Sequence, residues 1–191
     1  MLSRDAVRWA FVVGGMLLLG GCELSPEQLM ERGLDRMREG DYAGALADFD
    51  AVVKLQPNDV GAIQWRARMY EFNREYRLAL HDYNEAIRLG TSNSTAYSNR
   101  GYILATAPDD SLRNGQAALA DMQQAIKMEG EVTYLLKPKL ATVYTELGDF
   151  QTAIRLQEEF VNQPDEFLIK DAARERLAQY RVGKPYRAPA K

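Results

Sequence analysis

The chain has 191 residues, of which 46% are hydrophobic and 27% are charged, and its formal net charge is −3. This length suits one domain with a substantial core, and the composition is that of a globular protein rather than a disordered or fibrous one. Because binding to phosphate backbones requires a basic face, the mildly acidic balance argues against a nucleic-acid-binding protein.

Residues 1–21 have the layout of a secretory signal peptide. Arg4 and Arg8 form a positive start, an apolar run follows over residues 9–19, and two glycines precede Cys22, the only cysteine. The uncharged run over residues 9–21 is shorter than the roughly 20 residues that a membrane-spanning helix needs. We therefore predict a signal peptide over residues 1–21 rather than a transmembrane helix.

The sequence Leu19-Gly20-Gly21-Cys22 resembles the lipobox of bacterial lipoproteins. The resemblance implies that the thiol of Cys22 carries a lipid anchor with fatty acyl chains such as palmitate, and that residues 22–25 form a lipidated linker. Glu23 stands where an aspartate would favour the inner membrane, so we expect the periplasmic face of the outer membrane. The alternative is an ordinary signal peptide followed by a chance cysteine.

Similar residues recur along the rest of the chain at a fixed interval of about 34 residues. Apolar residues three and four positions apart mark one face of each helix, and small residues recur where two antiparallel helices approach closely. Breaks at residues 40–41 and 56–59 divide and end the first unit, so each unit is predicted to be a helical hairpin. The recurring positions are Leu29, Ile63 and Tyr97; Arg32, Arg66 and Arg100; Gly33, Ala67 and Gly101; and, in the second helices, Tyr42 with Tyr76, Ala45 with Ala79, Phe49 with Tyr83, Val52 with Ala86 and Leu55 with Leu89.

The stretch from Gly40 to Pro57 resembles the second-helix signature of the tetratricopeptide repeat family, whose unit is a helical hairpin of about 34 residues. The resemblance implies an all-α, right-handed solenoid of about four helical hairpins. The interval from Ala79 to Ala118 exceeds that from Ala45 to Ala79 by five positions, so an insert of that length lies within the stretch 107–115. The predicted repeats cover about 26–59, 60–93, 94–131 and 132–163.

Residues 164–180 are predicted to form a capping helix, since the last repeat would otherwise leave an apolar side exposed. Residues 181–191 form a basic tail, for which a solvated segment is the simplest interpretation and contact with anionic lipid or a partner is the alternative. The inserted loop and this tail both resemble stretches of a bacterial subset of the repeats, without implying a chemistry.

The sequence contains few candidate catalytic residues. His81 is the only histidine, and together with one acylated cysteine it cannot form a zinc site or a nucleophile, base and acid set. Adjacent carboxylates such as Asp109 and Asp110 are expected to be solvated, because nothing raises the pKa of one relative to the other. We therefore predict that the protein is not an enzyme and that it needs no metal or cofactor.

In the family that the sequence resembles, the first helix of each unit lines a concave face that binds an extended or helical peptide. The alternative for each of these side chains is packing between neighbouring units. The carboxylate-binding set of some family members is not reproduced. Carried onto this sequence, the resemblance implies a partner-binding groove of Gln64, Trp65, Arg68, Phe72, Asn99 and Tyr102, with Met30, Leu34, Met37 and Ser98 as further lining residues.

These features together predict a membrane-anchored adaptor or scaffold in the bacterial cell envelope. Its partner would be a protein of the periplasm or envelope, for example a component of a secretion or pilus system or of the cell-wall machinery. The alternative is a structural envelope lipoprotein that self-associates, as a homodimer, without recognising a peptide.

Overall fold

The computed structural model describes residues 24–163 and 170–191. These residues form nine α-helices and one short 3₁₀ helix, without a strand, which confirms the predicted all-α fold class. The predicted signal peptide, Cys22 and the first part of the predicted capping helix lie outside the described residues. In chain order, the helices are α1 (Pro26–Glu39), α2 (Tyr42–Leu55), α3 (Val60–Phe72), α4 (Tyr76–Arg88), α5 (Ser94–Thr106), the 3₁₀ helix (Asp110–Leu112), α6 (Gly115–Glu129), α7 (Lys137–Glu146), α8 (Phe150–Val161) and α9 (Lys170–Arg181).

The helices pair as four consecutive hairpins, α1 with α2, α3 with α4, α5 with α6 and α7 with α8. Their ends carry the expected capping chemistry. Ser25 and Gln28 form a capping box before α1, and Gly40, at a φ of +83°, ends that helix in the left-handed conformation. Asp59 and Asn114 accept hydrogen bonds from the first turns of α3 and α6. These caps satisfy backbone groups that the ends of α1, α3 and α6 would otherwise leave unpaired.

Small residues let the two helices of a hairpin approach closely. Ala45, Ala79, Ala118 and Ala153 occupy the same position in the four second helices, and each is fully buried. A Cβ atom added to Gly101 would lie 2.9 Å from the carbonyl oxygen of Ala118, closer than real Cβ contacts. Alanine and glycine are thus required by the helix spacing itself.

A ladder of ion pairs explains the recurring arginines. Arg32, Arg66 and Arg100 each bind both carboxylate oxygens of a buried aspartate on the second helix of the same hairpin, at 2.5–3.0 Å. Arg66 and Arg100 also reach back to the preceding hairpin, where they bind Asp50 and Asn84 at 3.1 and 2.7 Å. The aspartates are Asp48, Asp82 and Asp121, which are 2%, 2% and 5% exposed.

The fourth hairpin replaces this ion pair with two leucines. Once the register is carried past the insert, Leu140 occupies the position of Arg100, and Leu156 occupies the position of Asp121. Both leucines belong to the same buried cluster, and each is 6% exposed. An apolar pair therefore fills the place of the ion pair at the last hairpin.

The tail docks on the helices, although several of its residues remain exposed, and this corrects the interpretation of residues 181–191 as a simple solvated segment. Gly183, at a φ of +71°, ends the turn after α9, and the chain then runs back across the third hairpin to the second. Ala188 is 6% exposed, and its amide donates to the carbonyl oxygen of Thr106 at 2.8 Å. The tail is therefore part of the folded structure.

The inserted loop faces the same region. Arg113 donates to the carbonyl oxygen of Ala107 at 2.8 Å and approaches Glu146 at 3.2 Å, while Arg187 of the tail binds Glu146 at 2.7 Å. The helix α9 packs against α8, where Gln157 donates to the carbonyl oxygen of Ala173 at 3.0 Å.

Within residues 24–163 and 170–191, no helix has both the length and the apolar character needed to cross a membrane.

Candidate functional site

The first helices of the second, third and fourth hairpins enclose a groove cavity of about 580 Å³. Residues of α3 and α5 form two of its sides, and residues of α7 and of the turn before it close the third. Four of the predicted groove residues line it, namely Arg68, Phe72, Asn99 and Tyr102, together with Glu71, Ser98, Leu135 and Lys139. Below, this cavity is called the groove.

One end of the groove is aromatic. The guanidinium of Arg68 lies 5.4 Å from the ring centre of Trp65 and 5.7 Å from that of Phe72. The ring of Phe72 stacks on Tyr42 of the first hairpin at 4.9 Å, yet 49% of Phe72 remains exposed. An exposed aromatic ring beside an arginine is the composition typical of binding hot spots.

The floor of the groove is a chain of polar contacts between three hairpins. The ammonium of Lys139 donates to the amide oxygen of Asn99 and lies 3.4 Å from the hydroxyl of Ser98. Asn99 donates to the hydroxyl of Tyr83 at 2.9 Å, and Tyr83 donates to the carboxylate of Glu71 at 3.1 Å. The floor therefore couples α3, α4, α5 and α7.

Burial shifts the two charged ends of this chain toward their neutral forms. Desolvation raises the pKa of Glu71 above its ordinary value, although Lys139 and the hydrogen bond from Tyr83 oppose the shift. Desolvation likewise lowers the pKa of Lys139, against the attraction of Glu71. A partner group that pairs with either charge would relieve part of this desolvation cost.

The other two predicted groove residues lie apart from the cavity. Trp65 packs against the ring of Phe49 at 6.1 Å and reaches the groove only through Arg68. Gln64 instead bonds to Thr91 and Asn93 in the turn between the second and third hairpins. Ser98 stands 34 residues further on at the same repeat position and lies in the groove, so the partners in the neighbouring turn draw Gln64 away from it.

The further lining residues from the sequence are distributed differently. Met30 and Leu34 line a separate cavity of about 390 Å³ between α1 and the turn before α3, and Met37 packs against the buried cluster around Phe49. Ser98 lies in the groove itself and is 5% exposed. The groove is thus centred on the second to fourth hairpins rather than on the first.

Sequence reasoning missed Glu71 and Lys139. Lys139 occupies the same position of the repeat as Asn99, displaced by the insert and one further residue. Extending the register past the insert would have placed it on the groove. Glu71 lies 34 residues after Met37, one of the predicted lining residues, so the register also pointed to its position.

His81 and the acidic residues do not form a site with metal-binding geometry. The side chain of His81 is 76% exposed, and its Nδ1 lies 3.1 Å from the carboxylate of Asp82, which Arg66 already binds. Among the residues that the structure describes, no group of three or more His, Cys, Asp or Glu side chains is arranged to hold a metal ion.

No family model matches the sequence, and no curated protein matches it. The fold is similar to a tetratricopeptide repeat protein from Parabacteroides merdae ATCC 43184, with a TM-score of 0.67, 18% identity and coverage of 86% of this chain and 62% of that one. It is also similar to PilW, described as a widely conserved type IV pilus biogenesis factor, with a TM-score of 0.66, 18% identity and coverage of 82% and 69%.

A third similar structure is YrrB, described as a tetratricopeptide repeat protein with an unusual peptide-binding site. Its TM-score is 0.59 at 15% identity, and the match covers 83% of this chain and 79% of that one. Each of these similarities extends over more than four fifths of the chain. The chain therefore has the fold of the tetratricopeptide repeat proteins, as its repeat register predicted.

Proposed function

We propose that the protein is a non-enzymatic adaptor that binds a segment of a partner protein in the groove. The observation that carries this proposal is the groove itself, where Arg68 and the exposed ring of Phe72 lie beside a half-buried polar floor. Aromatic and arginine side chains supply most of the binding energy in protein interfaces. The partner segment would insert an apolar side chain beside Phe72 and place a polar group over Asn99 and Lys139.

The proposal includes attachment to the bacterial cell envelope through a lipid on Cys22, at the outer membrane. Its support is the lipobox-like sequence before that residue. The pilus factor PilW shares the fold, which makes assembly of a secretion or pilus system one candidate process, and the cell-wall machinery another. Self-association as a homodimer is the competing function.

One charge reversal tests whether the partner binds in the groove. Arg68→Glu in the full chain should weaken partner capture from detergent extracts by about 2 kcal/mol, or roughly 30-fold, because it removes the cation that covers Trp65 and Phe72. Trp65→Ala should act in the same direction. Helix content, followed by circular dichroism, should stay unchanged.

The matched control is Arg88→Glu, which reverses an exposed arginine on α4 that is paired with Glu85 of the same helix. It should leave capture unchanged. Equal capture by the wild type and Arg68→Glu would place the partner outside the groove. A light-scattering mass of twice the chain mass, lost in Arg68→Glu, would identify the groove occupant as a second copy.

A further inference from the structure

Residues 184–191 lie in a surface channel that is distinct from the groove. Its walls are the start of α4, the end of α5 and the end of α7. Tyr186 inserts between two buried clusters, beneath the guanidinium of Arg176 at 5.4 Å from its ring centre. The segment thus crosses three hairpins, whereas α9, to which it is attached, packs mainly on α8 of the last hairpin.

The segment is held by main-chain and side-chain contacts at successive residues. The Ala188 amide donates to Thr106, the Pro189 carbonyl accepts from the hydroxyl of Tyr76 at 3.0 Å, and the Ala190 carbonyl accepts from Arg74 at 3.0 Å. Contacts of this kind recognise an extended backbone, and prolines at two positions favour that conformation before docking.

Charge complementarity fixes the register of the segment. Arg187 binds Glu146 at 2.7 Å, and Lys191 binds Glu75 at 2.5 Å. Glu146 is also approached by Arg113 of the inserted loop, at 3.2 Å. The insert and the tail, which the repeat register leaves unexplained, therefore meet at one carboxylate.

One buried cluster connects the channel to the groove. The rings of Tyr186 and Tyr102 both pack against it, and Tyr102 also lines the groove. Tyr102 is therefore shared by the docked segment on one side and the groove on the other.

We propose that this channel is a second peptide-docking site, specific for an extended basic segment containing proline, tyrosine and arginine. Its occupant is residues 184–191 of the same chain, which hold Tyr102 in place at the groove wall. The site extends beyond the proposed function, because its ligand and its test do not depend on a groove partner.

The test separates the segment from the chain. A chain ending at Gly183 is titrated with a synthetic peptide of residues 184–191, labelled for fluorescence anisotropy, and with a control peptide in which Ala replaces Tyr186 and Arg187. We expect saturable binding of the first peptide and at least tenfold weaker binding of the second. Equal binding of the two peptides, or binding of neither, overturns the proposal.

A second arm tests the full chain, in case the shortened chain fails to fold. Tyr186→Ala removes the ring that packs between the two buried clusters, and Arg187→Ala removes the ion pair with Glu146. Both should raise amide hydrogen exchange at Ala188 and at the end of α5 by about tenfold or more. Lys184→Ala, which changes an exposed residue of the same segment, is the control. Unchanged exchange in both variants contradicts the proposal, whether or not the groove binds a partner.

Discussion

At the scale of single residues, the arginine ladder is the contact that repeats most regularly. Arg66 illustrates its geometry, because it binds Asp82 on α4 and Asp50 on α2 and so joins three helices. Asp82 is 2% exposed, and a buried carboxylate is costly without its cation. The arginine therefore stabilises the array mainly by preventing an unpaired charge.

The leucine pair of the fourth hairpin suggests how to measure this cost. Arg66→Leu should lower the free energy of unfolding by about 3 kcal/mol, because it leaves Asp82 buried and unpaired. The double variant Arg66→Leu/Asp82→Leu should return to within about 1 kcal/mol of the wild type, since an apolar pair then replaces both charges. Urea unfolding of the four members of the cycle gives the comparison.

The exposed pair of Arg88 and Glu85 is the matched control for this cycle. Replacing Arg88 with Leu should change stability by less than about 0.5 kcal/mol, because an exposed ion pair contributes little. A double variant at Arg66 and Asp82 that loses as much as the two single variants together would contradict this account of the ladder.

The raised pKa of Glu71 predicts a pH-dependent effect of Glu71→Gln. The folded-state pKa lies above the unfolded one, so the stability contributed by protonated Glu71 is present at low pH and is lost as the pH rises through the folded pKa. Glutamine keeps an acceptor for Tyr83 and never ionises. The variant should therefore match the wild type below the ordinary pKa of glutamate and become the more stable of the two at neutral pH.

Unfolding midpoints in urea over a series of pH values measure this difference. Lys139 reduces the stability that Glu71→Gln gains at neutral pH, because its ammonium loses the attraction of Glu71 in the variant. The gain should therefore be larger when both proteins also carry Lys139→Gln. A difference that shrinks as the pH rises would show that Glu71 is stabilised in its ionised form.

At the scale of helices, Gly101 of α5 lies directly against the backbone of α6. Gly101→Ala should lower the stability by about 1–3 kcal/mol, although alanine favours a helix, because its Cβ would lie 2.9 Å from a backbone oxygen. Gly115→Ala is the comparison, since its Cβ would lie equally close to the flexible side chain of Leu147. Thermal unfolding should show the smaller loss at Gly115, and equal losses would mean that the α5 and α6 backbones can separate cheaply.

The helices and their pairing could be predicted because the register repeats the same packing requirement. Small residues, arginines and apolar residues recur at fixed intervals, and any one unit explains the others. Lys139 was missed because the insert shifts its position from that interval. Gln64 was misplaced because its side chain bonds to Thr91 and Asn93 in the neighbouring turn, which the register does not indicate. The docking of the tail brings Ala190 to Arg74, far away in the sequence, without any periodicity to indicate it.

At the scale of the whole molecule, the predicted anchor precedes the described helices. Cys22→Ser should leave an uncut precursor that no longer incorporates a radioactive fatty acid, because the thiol supplies the attachment atom in the lipobox interpretation. Glu23→Gln keeps the cysteine and should still be processed and labelled. A Cys22→Ser variant that is cut and labelled would show that the lipobox interpretation is wrong.

The docked tail also changes how the array should come apart. In an ordinary solenoid each repeat contacts only its neighbours, so unfolding can begin at either end and spread one unit at a time. Here the bonds from Arg74 and Tyr76 to the tail close the second, third and fourth hairpins and α9 into a ring. If one interface between two hairpins of the ring opens, the remaining interfaces and the docked tail still hold those two hairpins close together. The first hairpin lies outside the ring, so it can fray alone while the remaining hairpins unfold as one cooperative block.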